Sequence, residues 1–166
     1  MKQQTTPVFM HTLRYLLTLA LFATLGLSAS AQLQFGAGAA TVGNFNTFGV
    51  QARAQYDIDA TWRGAADFTY LFPEFGNAWE LNPNVHYIFK DDGAGQKFYG
   101  LAGLGIFHYG IGDLFGIDIG RSVTDVGLNV GAGANLPLGN LTGYAEAKFG
   151  IGGSEFGLAV GVLFGN

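Results

Sequence analysis

Cysteine is absent from this 166-residue chain, and charge is scarce: 12% of its residues are Asp, Glu, Lys or Arg, about half the roughly 25% usual in soluble domains. The first absence excludes a disulfide scaffold and a thiolate metal site, and it is compatible with an oxidising compartment. The second excludes an ordinary solvated surface. Excess positive charge is also missing, since the formal net charge is −4, and this argues against a nucleic-acid partner. What the chain does have is 27 glycines and 14% aromatic residues. That much glycine excludes a helical bundle, and that many aromatics exclude disorder.

At the N-terminus, Lys2 and Arg14 precede an uncharged stretch whose apolar centre runs from Leu16 to Leu27, followed by Ser28-Ala29-Ser30-Ala31. The run is shorter than the roughly 20 residues of a spanning helix, and Ala29-Ser30-Ala31 has the small-x-small cleavage pattern, so residues 1–31 read as a cleaved signal peptide. The expected mature domain is 32–166, with 6 basic and 12 acidic residues because Lys2 and Arg14 leave with the leader. Val126 to Ala145 is a twenty-residue stretch without a charge, but its five glycines, three asparagines and Pro137 argue for two strands with a turn at Pro137–Asn140 instead of a helix.

The remaining signal is alternation with period two. Phe48, Val50, Ala52, Ala54 and Tyr56 share one face, opposite Gln51, Arg53, Gln55 and Asp57. Trp62, Gly64, Ala66, Phe68, Tyr70 and Phe72 oppose Arg63, Ala65, Asp67, Thr69 and Leu71, and Trp79, Leu81, Pro83, Val85, Tyr87 and Phe89 oppose Glu80, Asn82, Asn84, His86, Ile88 and Lys90. The same pattern recurs over 123–135, 141–149 and 156–164, with further strands at 33–41 and 98–109. In the fifth strand the register is open: placing Gly103 and Gly105 with the small residues turns Phe107 and Tyr109 the same way. Pro83 removes a ladder donor and marks a candidate bulge.

Eight strands of about nine to eleven residues are long enough to cross a bilayer at a tilt, and an even number permits closure. The expected fold class is all-β, an eight-stranded antiparallel up-and-down transmembrane β-barrel. An eight-stranded barrel has room inside only for side chains or one small ligand, so the aromatic face belongs outside, where hydrocarbon suits it and water does not. The polar face with Gly127, Gly131, Gly133, Gly157 and Gly161 then lines a cramped lumen. A soluble, lipocalin-like ligand-binding barrel is the rival that this packing argument disfavours.

These residues resemble the small outer-membrane β-barrel, porin-like proteins of Gram-negative bacteria, of OmpA and opacity type. The resemblance covers Gln32 to Asn166 and rests on the strands Tyr99–Gly105, Asn129–Gly133 and Gly143–Phe149, and on a last strand ending in Phe164. It implies a bacterial outer-membrane location with both termini periplasmic, contact with outer-membrane lipid, and insertion by the outer-membrane assembly machinery. The family's terminal aromatic usually closes the chain, whereas Gly165 and Asn166 follow Phe164 here.

For chemistry, the inner face carries Arg53, Arg63 and Lys148 against Asp67, Glu80 and Glu146, a set expected to pair into a polar network together with His86, because unpaired charges in a narrow interior are costly. Partner exchange within such a set would make a narrow pore for ions or very small solutes. No enzyme is expected: His86 and His108 are the only mature histidines, neither stands in a His-x-Ser arrangement, and Ser122 and Ser154 lie in loops. No cofactor or metal is expected either, since Asp113 and Asp118 lack the dense oxygen-ligand spacing of a calcium loop and no phosphate-loop or zinc spacing occurs. The longest connection, Gly110 to Ser122, offers Leu114, Phe115, Ile117 and Ile119 as a surface contact for an extracellular partner or as a cap over the barrel mouth. The expected role is structural or surface-interactive within the cell envelope.

Overall fold

The computed structural model describes residues 33–43, 47–111, 121–151 and 156–165. The candidate leader 1–31 and the loop residues Leu114, Phe115, Ile117 and Ile119 lie outside them, as do Asp113, Asp118 and Ser154. The described residues form eight strands: β1 Leu33–Val42, β2 Thr47–Asp57, β3 Trp62–Leu71, β4 Asn77–Asp91, β5 Lys97–Ile111, β6 Arg121–Leu138, β7 Leu141–Ile151 and β8 Phe156–Phe164. Each pairs antiparallel with its neighbour in sequence, and β1 pairs with β8 from Phe35↔Phe164 to Val42↔Gly157, so the sheet is a closed barrel with no free edge.

Period two decides which residues go inside. In β3, Arg63 and Asp67 are each 1% exposed, while their chain neighbours Trp62 and Phe68 are 46% and 44% exposed. Polar side chains are buried and large apolar ones uncovered, the inverse of a soluble core. Among the described residues no helix is long and apolar enough to cross a membrane, which says nothing against strands.

The turns at the end of the barrel that holds Leu33 and Phe164 are tight and chemically specified. Asp59 Oδ1 accepts from the Thr61 and Trp62 amides at 2.7 and 2.8 Å, and Asp92 Oδ1 accepts from Ala94 and Gln96 at 2.8 and 2.9 Å. Such Asx geometry fixes a reversal without tertiary help. Gly139, at φ +64°, supplies the left-handed residue of the β6–β7 turn.

Several sequence expectations change. Pro137 does not belong to that turn: it pairs with Thr142 inside the β6–β7 ladder, and the reversal needs only Gly139 and Asn140. Pro83 makes no bulge, because the β4–β5 register is the same before and after it (Leu81↔Ile106, Asn84↔Gly103). The bulge falls at Phe89, where Ile88↔Tyr99 is followed by Lys90↔Phe98. One extra residue on β4 turns Lys90 from the expected inner face to the outer one. Strands run from nine to 18 residues instead of nine to eleven. The fifth register is settled with Tyr99 and Leu101 buried, and with Phe107 and Tyr109 packed against Val42, Leu71 and Ala78 inside the mouth opposite the chain ends.

Candidate functional site in the barrel lumen

The expected inner residues Arg53, Arg63, Asp67, Glu80, His86, Glu146 and Lys148 are all buried on the inner wall. The wall does not join them into one set. Its centre is a four-charge ring contributed by β2, β3 and β7. Arg53 Nη2 lies 2.7 Å from Glu146 Oε1 and 3.5 Å from Asp67 Oδ2. Lys148 Nζ lies 2.8 Å from Asp67 Oδ1 and 3.8 Å from Glu146 Oε1. Each cation thus reaches both carboxylates, and charge is balanced within the ring.

Neutral groups complete it. Asp67 Oδ1 also accepts from Gln51 and Asn82, both at 3.0 Å, and Glu146 Oε2 accepts from the Tyr99 hydroxyl at 3.0 Å. Tyr144 donates to Gln51 Oε1 at 2.8 Å, its ring lying 4.2 Å beneath the Arg53 guanidinium. Asn129 extends the network to β6 through Asn82 Oδ1 at 2.6 Å. Burying four ionised groups is tolerable only with such dense secondary bonding. The tyrosines fit because glycine faces them: a Cβ on Gly133 would stand 2.6 Å from the Tyr99 ring, and one on Gly161 would stand 2.6 Å from the Tyr144 hydroxyl.

Arg63 departs from the expected network. It pairs with Asp57, its direct partner in the β2–β3 register at the barrel end, and not with the central acids. Lys97 Nζ joins Asp57 Oδ2 at 2.9 Å and Asp91 at 3.7 Å. Asp57 was legible as an inner-face residue, but Lys97 and Asp91 sit at strand ends, where alternation gives no signal. Between the two clusters His86 stacks flat on Tyr99 (4.3 Å, 5°), with Nε2 3.9 Å from Glu146 Oε2. Glu80 is buried toward the opposite mouth, lining with Lys148, Gln51, Thr69 and Asn129 a cavity of about 10 Å³, room for roughly one water.

On the outer wall, His108 stacks on Trp79 at 5.1 Å, and its Nδ1 meets Thr124 Oγ1 at 2.8 Å. A histidine beside a hydroxyl is half of a nucleophilic pair, but no carboxylate lies within ion-pairing distance of His108 among the described residues to orient it. No group of three His, Cys, Asp or Glu side chains among the described residues is arranged to hold a metal ion.

A closed eight-stranded barrel with a charged, filled interior and an apolar exterior defines the class of this protein by its fold. Solved structures of the same architecture are similar to it. The N-terminal β-barrel domain of Pseudomonas aeruginosa OprF matches with a TM-score of 0.65 and 19% identity over 82% of this chain and 98% of that one. Yersinia pestis Ail, crystallised with the heparin analogue sucrose octasulfate, matches with a TM-score of 0.60 and 17% identity over 82% and 97%. Neisserial surface protein A matches with a TM-score of 0.55 and 22% identity over 80% and 94%. At these identities the likeness is one of fold. No family model matches the chain, and no curated protein matches it.

Proposed function

We propose that this protein is a bacterial outer-membrane barrel, exported by the leader at 1–31, whose role in the envelope is structural or surface-interactive. The observation that carries the reading is the inverted burial: Phe48 and Val126 are 64% and 62% exposed on a wall whose inner side buries Arg63 at 1%. In water such a surface associates; in hydrocarbon it is what lipid requires. The similar fold of Ail, described in a phospholipid bilayer nanodisc as an outer membrane protein, supports the same reading. The tight turns share the end with the termini, and because outer-membrane barrels keep short turns on the periplasmic side this supports a reading in which that end is periplasmic and the opposite end extracellular. Arg121–Gly127 of β6 pair with β5 alone among the described residues, because the β6–β7 ladder stops at Leu128↔Ile151. The β5–β6 connection contains Leu114, Phe115, Ile117 and Ile119 in its sequence, and this reading takes it as the contact loop.

The heparin-analogue binding named for Ail does not carry over. Residues 110–122 contain one basic side chain, Arg121, against Asp113 and Asp118, a poor match for a polysulfated ligand.

Because the chain has no cysteine, single cysteines report topology cleanly. In intact cells an impermeant maleimide labels Leu114→Cys and spares Ala94→Cys, and the unboiled protein migrates differently from the boiled one. Reversed labelling overturns the orientation, and recovery as a soluble protein with no mobility shift overturns the membrane assignment.

A second reading, a narrow ion pore, draws on the ring in which Arg53 and Lys148 each reach both Glu146 and Asp67. Exchange of partners would part the ring. Conductance steps in planar bilayers would favour this reading, and a silent bilayer the filled, structural barrel.

A further inference from the structure

The bulge at Phe89 has a chemical consequence on the outer wall. It turns Lys90 out of the lumen, leaving Lys90 as the lysine or arginine whose described side chain lies on the lipid-facing surface; Arg53, Arg63 and Lys148 are buried inside and Lys97 is engaged by Asp57 and Asp91. Its ammonium lies 5.5 Å from the centre of the Phe98 ring. Phe98 and Phe89 form one margin of an open apolar trough of about 480 Å³, floored by Ala134 and Ala145 and bounded on its far side by Leu158 and Val160. That volume is in the range of small-ligand sites, roughly 300–1,000 Å³. Phe98 is the second residue of β5, at the end of the barrel that carries the chain termini, so the charged margin sits at the interface and the trough leads from it along the wall.

The acids next to Lys90 are occupied elsewhere. Asp91 accepts from the Gly93 amide at 2.9 Å and faces Lys97 at 3.7 Å, and Asp92 accepts from the Ala94 and Gln96 amides. No ion pair to Lys90 occurs among the described residues. A cation beside an apolar channel of this kind complements one occupant: a lipid whose phosphate meets the ammonium and whose acyl chain lies in the trough.

We infer that Lys90, Phe89 and Phe98, with the trough running to Leu158 and Val160, form a site for an anionic glycerophospholipid of the periplasmic leaflet. The site rests on the membrane reading above and goes beyond it, because an ordinary annular lipid shell would show no preference for one headgroup at one place. Anionic lipid is selected because a zwitterionic headgroup already neutralises its own phosphate, whereas Lys90 supplies the missing charge.

The test is native mass spectrometry of the full protein, extracted from membranes and placed in nanodiscs made of equal parts dioleoylphosphatidylglycerol and dioleoylphosphatidylcholine. The wild-type protein is expected to retain one phosphatidylglycerol with a preference of about five-fold over phosphatidylcholine, the scale of one lysine at an anionic surface. Lys90→Gln abolishes the preference, Lys90→Arg keeps it, and Ala145→Phe, which fills the trough and leaves the cation, lowers retention of both lipids. Equal retention of the two lipids by the wild type, or an undiminished preference in Lys90→Gln, overturns the site and leaves Lys90 a lysine reaching for the interface. An unchanged lipid count in Ala145→Phe overturns the trough as the acyl seat. Failure of the wild type to enter nanodiscs at all overturns the membrane reading itself, an outcome distinct from insertion without preference.

Discussion

The two ion-pair clusters of the lumen use the same chemistry in different surroundings. At the centre, the Arg53, Asp67 and Glu146 side chains have no solvent exposure and that of Lys148 has 10%. At the barrel end, Arg63 is buried against Asp57, but the Asp57 and Lys97 side chains are each 22% exposed, and that of Asp91 is 37% exposed. Coulomb attraction is screened at the end and scarcely at the centre. The central ring is therefore where loss of one partner leaves a charge stranded in the interior. In the end cluster the same holds for Arg63, whereas the pairs of Lys97 with Asp57 and Asp91 face water, which can replace them.

The largest expected effect tests the centre. Glu146→Ala leaves Arg53 with only the 3.5 Å contact to Asp67 and removes the acceptor of the Tyr99 hydroxyl; a loss of about 3–5 kcal/mol is expected in urea unfolding from lipid vesicles followed by tryptophan fluorescence. If the variant unfolds like the wild type, water reaches the ring and the contrast with the end cluster disappears. The contrast also depends on what lies outside the wall. Val85→Arg, at a position 48% exposed on the outer face, should cost about 2–4 kcal/mol in a bilayer, whereas a barrel surrounded by water would accept it at little cost.

Packing around the ring gives the next effect. Gly133→Val brings a side chain against the Tyr99 ring, where even a Cβ would stand at 2.6 Å, and a destabilisation of about 1–3 kcal/mol is expected. Thermal scans with heat-modifiable gel mobility as the readout distinguish this from a barrel that simply widens. Smallest is Asp91→Asn in the end cluster, whose 3.7 Å pair with Lys97 faces water, at about 0–1 kcal/mol and shrinking further as salt is raised. A salt-independent loss as large as that of Glu146→Ala would show the two clusters to be one.

Alternation made much of the fold legible. In β2, β3 and β4 up to Phe89 every second residue is uncharged and most are apolar, with aromatics recurring among them, so strand, face and barrel side follow from the residues alone, and Arg53, Arg63, Asp67, Glu80, His86, Glu146 and Lys148 are assigned to the inner wall without tertiary information. The legible part ends where period two is broken or absent. Lys90 lies outside because of a bulge that no local residue announces: Pro83, the conspicuous candidate, leaves the register intact, whereas Phe89 shifts it. Phe107 and Tyr109 are aromatic and yet turn inward, because the mouth opposite the chain ends offers Val42, Leu71 and Ala78 to pack against.

Which face of β2 and β3 turns inward, and where Asp59 and Asp92 reverse the chain, are properties of a few adjacent residues, and the sequence by itself determined them. Which cation meets which acid was decided only by the closed barrel. Arg53 and Glu146 are 93 positions apart, and Lys148 and Asp67 are 81 apart; they meet because the stagger of the strands around the closed barrel brings β2, β3 and β7 to one level across the lumen. Arg63, on the same face as Arg53, falls opposite Asp57 instead, since pairing between strands is set by register and alternation specifies only the side.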